Sequence, residues 1–143
     1  MALKVLHTSR ATATGGRNGH TQNSDGLVSV DLSVPKGMGG PGKPNTTTPE
    51  DLFAAGYAAC FGGAVELVAR QKQLPARDIA VDAAVGIGTT EEGKFGLKVD
   101  LTVRLAGLTQ AQADDLVREA HQVCPYSRAT RNNVDVGLAA VVA

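Results

Sequence analysis

The chain has 143 residues, with 14 Lys and Arg against 14 Asp and Glu and a pI of about 6.8. That balance gives no electrostatic attraction to nucleic acid or an anionic membrane, and 3% aromatic residues with no Trp leave no stacking platform for bases. The length suffices for one hydrophobic core, so residues 1–143 are read as a single domain.

The opening residues, MALKVLHTSR, hold no apolar run long enough for a signal peptide. The expected compartment is the cytoplasm, where cysteines are more often free or redox-active than permanently cross-linked. Residues 4–14 read as a strand of weak alternation. Gly15, Gly16, Asn18 and Gly19 then make a turn with Arg17 held inside it. Val28, Val30, Leu32 and Val34 alternate with Ser29, Asp31 and Ser33, the pattern of a half-buried strand. Residues 35–48, PKGMGGPGKPNTTT, have no periodicity; such a stretch is functional, disordered, or an arm reaching a partner.

Residues 48–70, TPEDLFAAGYAACFGGAVELVAR, read as a long helix. The Thr48 hydroxyl can cap the Asp51 amide, and Pro49 suits a first helical position where no amide is needed. Glu50 and Asp51 place negative charge at the positive end of the helix dipole. Phe53, Tyr57, Cys60, Ala64 and Leu67 recur at spacings of four and three and so share a face. The remainder is largely Ala and Gly, which lets other backbones approach closely. Residues 52–69 are nearly uncharged, yet Ala and Gly are weakly apolar and Glu66 interrupts the run, so a buried helix is expected rather than a membrane span.

Two further strands follow: Ile79, Val81, Ala83, Val85 and Ile87 alternate, as do Phe95, Leu97, Val99, Leu101, Val103 and Leu105, with TTEEGK as the turn between. Thr109 and Gln112 form a capping box for a second helix with an apolar face of Ala113, Leu116, Val117, Ala120 and Val123. Pro125 stops it, leaving Cys124 at its end. Val134, Val136, Leu138, Ala140 and Val142 form a last strand. The order ββ–α–ββ–α–β, with strands mostly in hairpins, predicts an α+β fold with largely antiparallel sheet. A central helix wants sheet on more than one side, and five strands are few for that. A homodimer pooling its strands would supply them.

Neither Cys60 nor Cys124 lies in a CxxC, and no Cys/His set has zinc-ligand spacing, so no metal is expected. Two cysteines can be simple small hydrophobes. His121, three residues before Cys124, admits a Cys–His hydrolytic pair, although an exposed helix-surface His is the plainer reading. Thiol redox chemistry fits better. It needs a thiolate, and Cys60 lies too deep in its helix to use the dipole, so a cation must come from elsewhere. Arg17 on its Gly-rich turn is the candidate, with Glu50 to hold it, although on local grounds a solvated turn residue and a simple dipole partner are the plainer readings.

PEDLFAAGYAACF (residues 49–61), ATGGR (13–17) and HQVCPYS (121–127) together resemble the organic hydroperoxide resistance proteins of the OsmC/Ohr superfamily, in order and over essentially the whole chain. Asp51 departs from the Gln often found there, at a helix start away from the chemistry. The resemblance implies largely antiparallel sheets wrapped around central helices in an intertwined homodimer. It also implies a thiol-dependent peroxidase for organic, fatty-acid type hydroperoxides. Cys60 would be the peroxidatic thiolate, Cys124 the residue that resolves its sulfenic acid to a disulfide, Arg17 the charge stabiliser and Glu50 its orienter. No cofactor is expected to be bound; the reductant would be dihydrolipoamide or a lipoylated protein. Phe53, Tyr57, Phe61 and Met38 would suit an alkyl chain. A non-enzymatic dimer binding a small apolar ligand, and an OsmC-type peroxidase of different substrate preference, are the alternatives.

These roles carry a geometric conflict. Glu50 and Cys60 are ten residues apart, roughly 15 Å along a straight helix, and helical side chains lean toward the N-terminus. One guanidinium touching both needs them within about 8 Å. Either the helix breaks near Gly56, or the Glu50 that meets a given Cys60 belongs to a second subunit. A cap and stripe continuous through Gly56 favour the second.

Overall fold

In the computed structural model, which describes residues 2–143, regular strand structure begins at Ala11 rather than Lys4. Strands β1 (Ala11–Thr14), β2 (His20–Asn23) and β3 (Ser29–Asp31) form an antiparallel sheet in that order. β1 pairs only as far as Ala11↔Asn23, because β2 ends there in a turn with Gly26 at φ 78°. Residues 2–10 form no strand, and Leu3, Val5 and Leu6 are 85%, 63% and 88% exposed. β2, HTQN, has no apolar alternation, so no local pattern marks it as a strand. The strand expected over Val28 to Val34 shrinks to three residues, after which the buried Leu32 makes a single bridge to Thr47.

Residues 35–48 are ordered by hydrogen bonds. Gly42 N–H donates to Val34 O at 2.9 Å, Lys43 N–H to Ser33 Oγ at 3.0 Å and Thr47 N–H to Asp31 O at 2.9 Å. Gly40 crosses Val34 so closely that a Cβ there would lie 2.4 Å from the Val34 side chain. The segment then enters α1 (Pro49–Gln71) through the expected cap: Thr48 Oγ accepts from Asp51 N–H at 3.1 Å. The Asp51 carboxylate in turn accepts from Thr48 N–H at 3.2 Å and from the Thr47 hydroxyl at 3.1 Å. Asp51 thus closes a reciprocal box of the kind a Gln or Glu normally closes. Everything up to the first turn of α1 belongs to the first of two units, Met1–Leu52; the rest of α1 belongs to the second, Phe53–Ala143.

In the second unit, β4 (Arg77–Thr89) and β5 (Phe95–Ala106) form the predicted hairpin, in register from Ala80↔Arg104 to Thr89↔Phe95. α2 (Gln110–Val123) starts at the predicted box, with Thr109 and Gln112 each capping the other's backbone. A short helix that the sequence reading lacked, α3 (Pro125–Thr130), follows before β6 (Asp135–Val142). β6 lies parallel to β5, so the fold is α+β with largely antiparallel sheets and one parallel pair. The α2–α3 crossover between β5 and β6 allows this, since parallel neighbours need such a connection.

Val99, Leu101, Val103 and Leu105 of β5, the Ala113, Leu116, Val117 and Ala120 face of α2, and one side of α1 make the core. The buried side of α1 is Tyr57, Phe61, Ala64, Val65 and Val68, rotated from the expected stripe: Leu67 is exposed and Cys60 half-buried. On α2, the last buried position of the face is Cys124 rather than the exposed Val123. By length and composition α1 could cross a membrane. Here one side packs into the core, while Ala55, Ala59, Gly63 and Glu66 on the other side are exposed.

Candidate active site

In the first unit, glycines 15 and 16 take positive φ (76° and 58°), which a side chain would strain, and turn the chain into a 3-10 turn at Gly16–Asn18. That turn presents Arg17. Its guanidinium meets Glu50, in the first turn of α1, in a two-pronged ion pair: Nη1 to Oε2 at 2.9 Å and Nη2 to Oε1 at 2.7 Å. The Glu50 side chain is 11% exposed and that of Arg17 39%. The hydrogen bonds from Arg17 hold the Glu50 carboxyl below its ordinary value of 4.5, outweighing the opposing effect of burial. A carboxyl lowered by folding stabilises fully above its ordinary value and loses that contribution only as pH falls through the lowered one. Wild type and Glu50→Gln should therefore differ by a constant margin in melting temperature from neutral pH down to 4.5, converging below it. Thermal melts across that range test this; a gap that closes above 4.5 would contradict it.

In the second unit α1 and the α2–α3 junction bring the two cysteines together. Cys60 is half-buried, Cys124 fully buried, and as free thiols their sulfurs lie 3.5 Å apart. A disulfide needs about 2 Å, so closure asks for little movement. Burial pushes the Cys60 thiol above its ordinary range; the Tyr126 backbone N–H opposes this, and the adjacent Cys124 reinforces it. A thiolate at Cys60 would need a cation brought to it.

Phe53, Tyr57 and Tyr126 form an aromatic cluster with ring centroids 5.8 to 6.3 Å apart, and Phe61 joins Tyr57 at 6.4 Å. Tyr126 lies over Gly56, where a Cβ would come within 3.3 Å of its ring. Tyr57 and Phe61 are wholly buried, so only Phe53 and the 42% exposed Tyr126 offer surface. Met38 is half-buried at the end of a 3-10 turn in the first unit. Among the described residues no group of three or more His, Cys, Asp or Glu gathers as metal ligands.

His121 is not an exposed helix-surface residue. Its Nδ1 lies 2.8 Å from the buried Ser127 Oγ, and burial, aided by the nearby charge of Arg131, lowers its pKa from the ordinary 6.5. Ser127, Thr130 and Tyr126 escaped the sequence reading as separate residues. The only signal was Ser127 standing one helical turn past Cys124 within HQVCPYS.

A model of the OsmC-like protein family matches residues 40–139. The organic hydroperoxide resistance protein of Xanthomonas axonopodis pv. citri is 50% identical over 136 residues, 94% of each chain. OhrB of Bacillus subtilis, also an organic hydroperoxide resistance protein, is 45% identical over 94% of this chain and 97% of its own. The crystal structure of an organic hydroperoxide resistance protein from Elizabethkingia anophelis superposes with a TM-score of 0.91 at 46% identity, covering 99% of this chain and all of that one. On the family model and these relatives, this chain belongs to the OsmC-like family, among its organic hydroperoxide resistance proteins.

Proposed function

We propose that the protein is a thiol-dependent peroxidase that reduces organic, fatty-acid type hydroperoxides to alcohols. The observation that carries this is the pair of free thiols 3.5 Å apart, one half-exposed and one buried. The Cys60 thiolate attacks the distal oxygen of ROOH; the O–O bond breaks, the alkoxide takes a proton and leaves as ROH, and Cys60 becomes a sulfenic acid. Cys124 then attacks that sulfur, the S–O bond breaks and water leaves, giving a Cys60–Cys124 disulfide. A dithiol of the dihydrolipoyl type, free or on a lipoylated protein, returns both cysteines to thiols and closes to its own cyclic disulfide. A reducing cytoplasm suits this cycle. Wild-type protein should consume cumene hydroperoxide with dihydrolipoamide as sole reductant; no consumption would overturn the reading.

The cation that such a thiolate needs is assigned to Arg17, held by Glu50. α1 runs unbroken through Gly56, which supports a site shared between subunits over a kinked helix. Arg17 is bonded to Glu50 of its own chain, which stands roughly 15 Å along the helix from Cys60. We assign the pair of one protomer to Cys60 of its partner in a homodimer. The exposed small-residue side of α1 and the unpaired apolar residues Leu3, Val5 and Leu6 support such a dimer. Arg17→Ala should raise the Cys60 pKa and slow hydroperoxide reduction by one or more orders of magnitude while the protein stays folded. An unchanged thiol titration would contradict it. Mixing inactive Glu50→Ala and Cys60→Ser subunits should restore activity, because one mixed site then has every part; no rescue would place the whole site in one chain.

A further inference from the structure

A largely buried hydrogen-bonded chain links the helices that carry the two thiols. Tyr57 of α1 bonds through its hydroxyl to Ser127 Oγ of α3 at 2.8 Å and to Thr130 Oγ1 at 3.2 Å. Ser127 Oγ also meets Nδ1 of His121, on α2, at 2.8 Å. Thr130 Oγ1 donates to Ser127 O at 3.1 Å, and Arg131 Nη2 donates to His121 O at 2.6 Å. Tyr57 and Ser127 are 0% exposed and Thr130 5%.

Its placement along the chain is what matters. Tyr57 stands three residues before Cys60, His121 three before Cys124 and Ser127 three after it. Each cysteine thus shares a helical turn, or the junction of two helices, with a member of the chain. Cys124 itself lies between helices: its N–H ends α2 on Ala120 O, and its carbonyl accepts from Arg128 N–H to start α3. A helix of six residues holds its position poorly by itself. Ser127 ties it at once to the helix bearing Cys60 and to the helix that leads into Cys124. Buried hydroxyls stabilise such a junction only when all are partnered, so losing one loosens the set.

We infer that the His121–Ser127–Tyr57 chain is a positioning device for disulfide closure, holding the Cys124 turn against Cys60 so that the sulfenic acid is captured before a second hydroperoxide reaches it. This rests on the peroxidase reading above. The step governed is Cys60–SOH plus Cys124–SH giving the disulfide and water. Ser127 and His121 are positioning residues and touch no substrate.

The test separates the two steps. Reduced protein is mixed with tert-butyl hydroperoxide, and hydroperoxide loss and acid-quenched disulfide are followed separately. In Ser127→Ala, first-turnover hydroperoxide loss should stay within about twofold of wild type, while closure slows about tenfold or more. Cys60 sulfinic acid should then accumulate at lower hydroperoxide. His121→Asn, whose amide can replace Nδ1, should keep more of the closure rate than His121→Leu; that pair also serves if Ser127→Ala does not fold. Diamide provides a second arm without hydroperoxide: a thiolate adds to its N=N bond and the second sulfur displaces the reduced hydrazide, forming the same disulfide. Slower diamide closure in Ser127→Ala supports the device even if wild type consumes no hydroperoxide, in which case only the peroxidase reading falls. Wild-type closure rates in Ser127→Ala, equal slowing of both steps, or identical closure in the two His121 variants would overturn it.

Discussion

Cys60→Ser is expected to abolish hydroperoxide consumption down to the buffer background, including the first turnover. Of the two sulfurs only Cys60 is partly exposed; Cys124 is wholly buried and cannot meet a bulky hydroperoxide without opening the α2–α3 junction. A serine hydroxyl at position 60 stays protonated at any physiological pH and lacks the polarisable sulfur that attacks peroxide oxygen. The substitution adds no bulk and keeps a hydrogen-bonding group beside the Tyr126 amide. Loss of activity should therefore come with a near-native melting temperature. Stopped-flow mixing with cumene hydroperoxide is the measurement. Consumption by Cys60→Ser at the wild-type rate would end the assignment of Cys60 and, with it, the thiol mechanism.

Cys124→Ser is expected to leave the first step intact and stop the cycle. One equivalent of hydroperoxide should be consumed per chain, after which dihydrolipoamide-dependent turnover falls to background. With the sulfur that lay 3.5 Å away gone, the Cys60 sulfenic acid has no partner and should be trapped by dimedone. Excess hydroperoxide should carry it to the sulfinic acid, which thiols do not reverse. Mass spectrometry of the intact chain distinguishes these states. Full multi-turnover activity in the variant would show that the reductant attacks the sulfenic acid directly and that Cys124 is dispensable.

The elements legible from sequence are those whose signals are local. The caps at Thr48 and Thr109 are contained within four residues, and the alternation of β4 and β5 repeats over many positions, so neighbours in sequence were enough to read them. The family was legible because its three motifs are contiguous words, and they named Cys60, Cys124, Arg17 and Glu50 as candidates. Tertiary structure decided whatever depends on a partner distant in the chain. β1 begins only at Ala11 because β2 ends opposite it, and β2 exists only through pairing with β1 and β3. β6 is parallel because the crossover returns it to β5. The buried side of α1 turned from Leu67 toward Phe61 because an Ala- and Gly-rich helix has apolar atoms on every side, and packing against β5 and α2 chooses among them. Pairing Arg17 with Glu50 spans 33 residues and joining Tyr57 to Ser127 spans 70; no local pattern encodes such contacts, since they are made only when separate elements fold against one another.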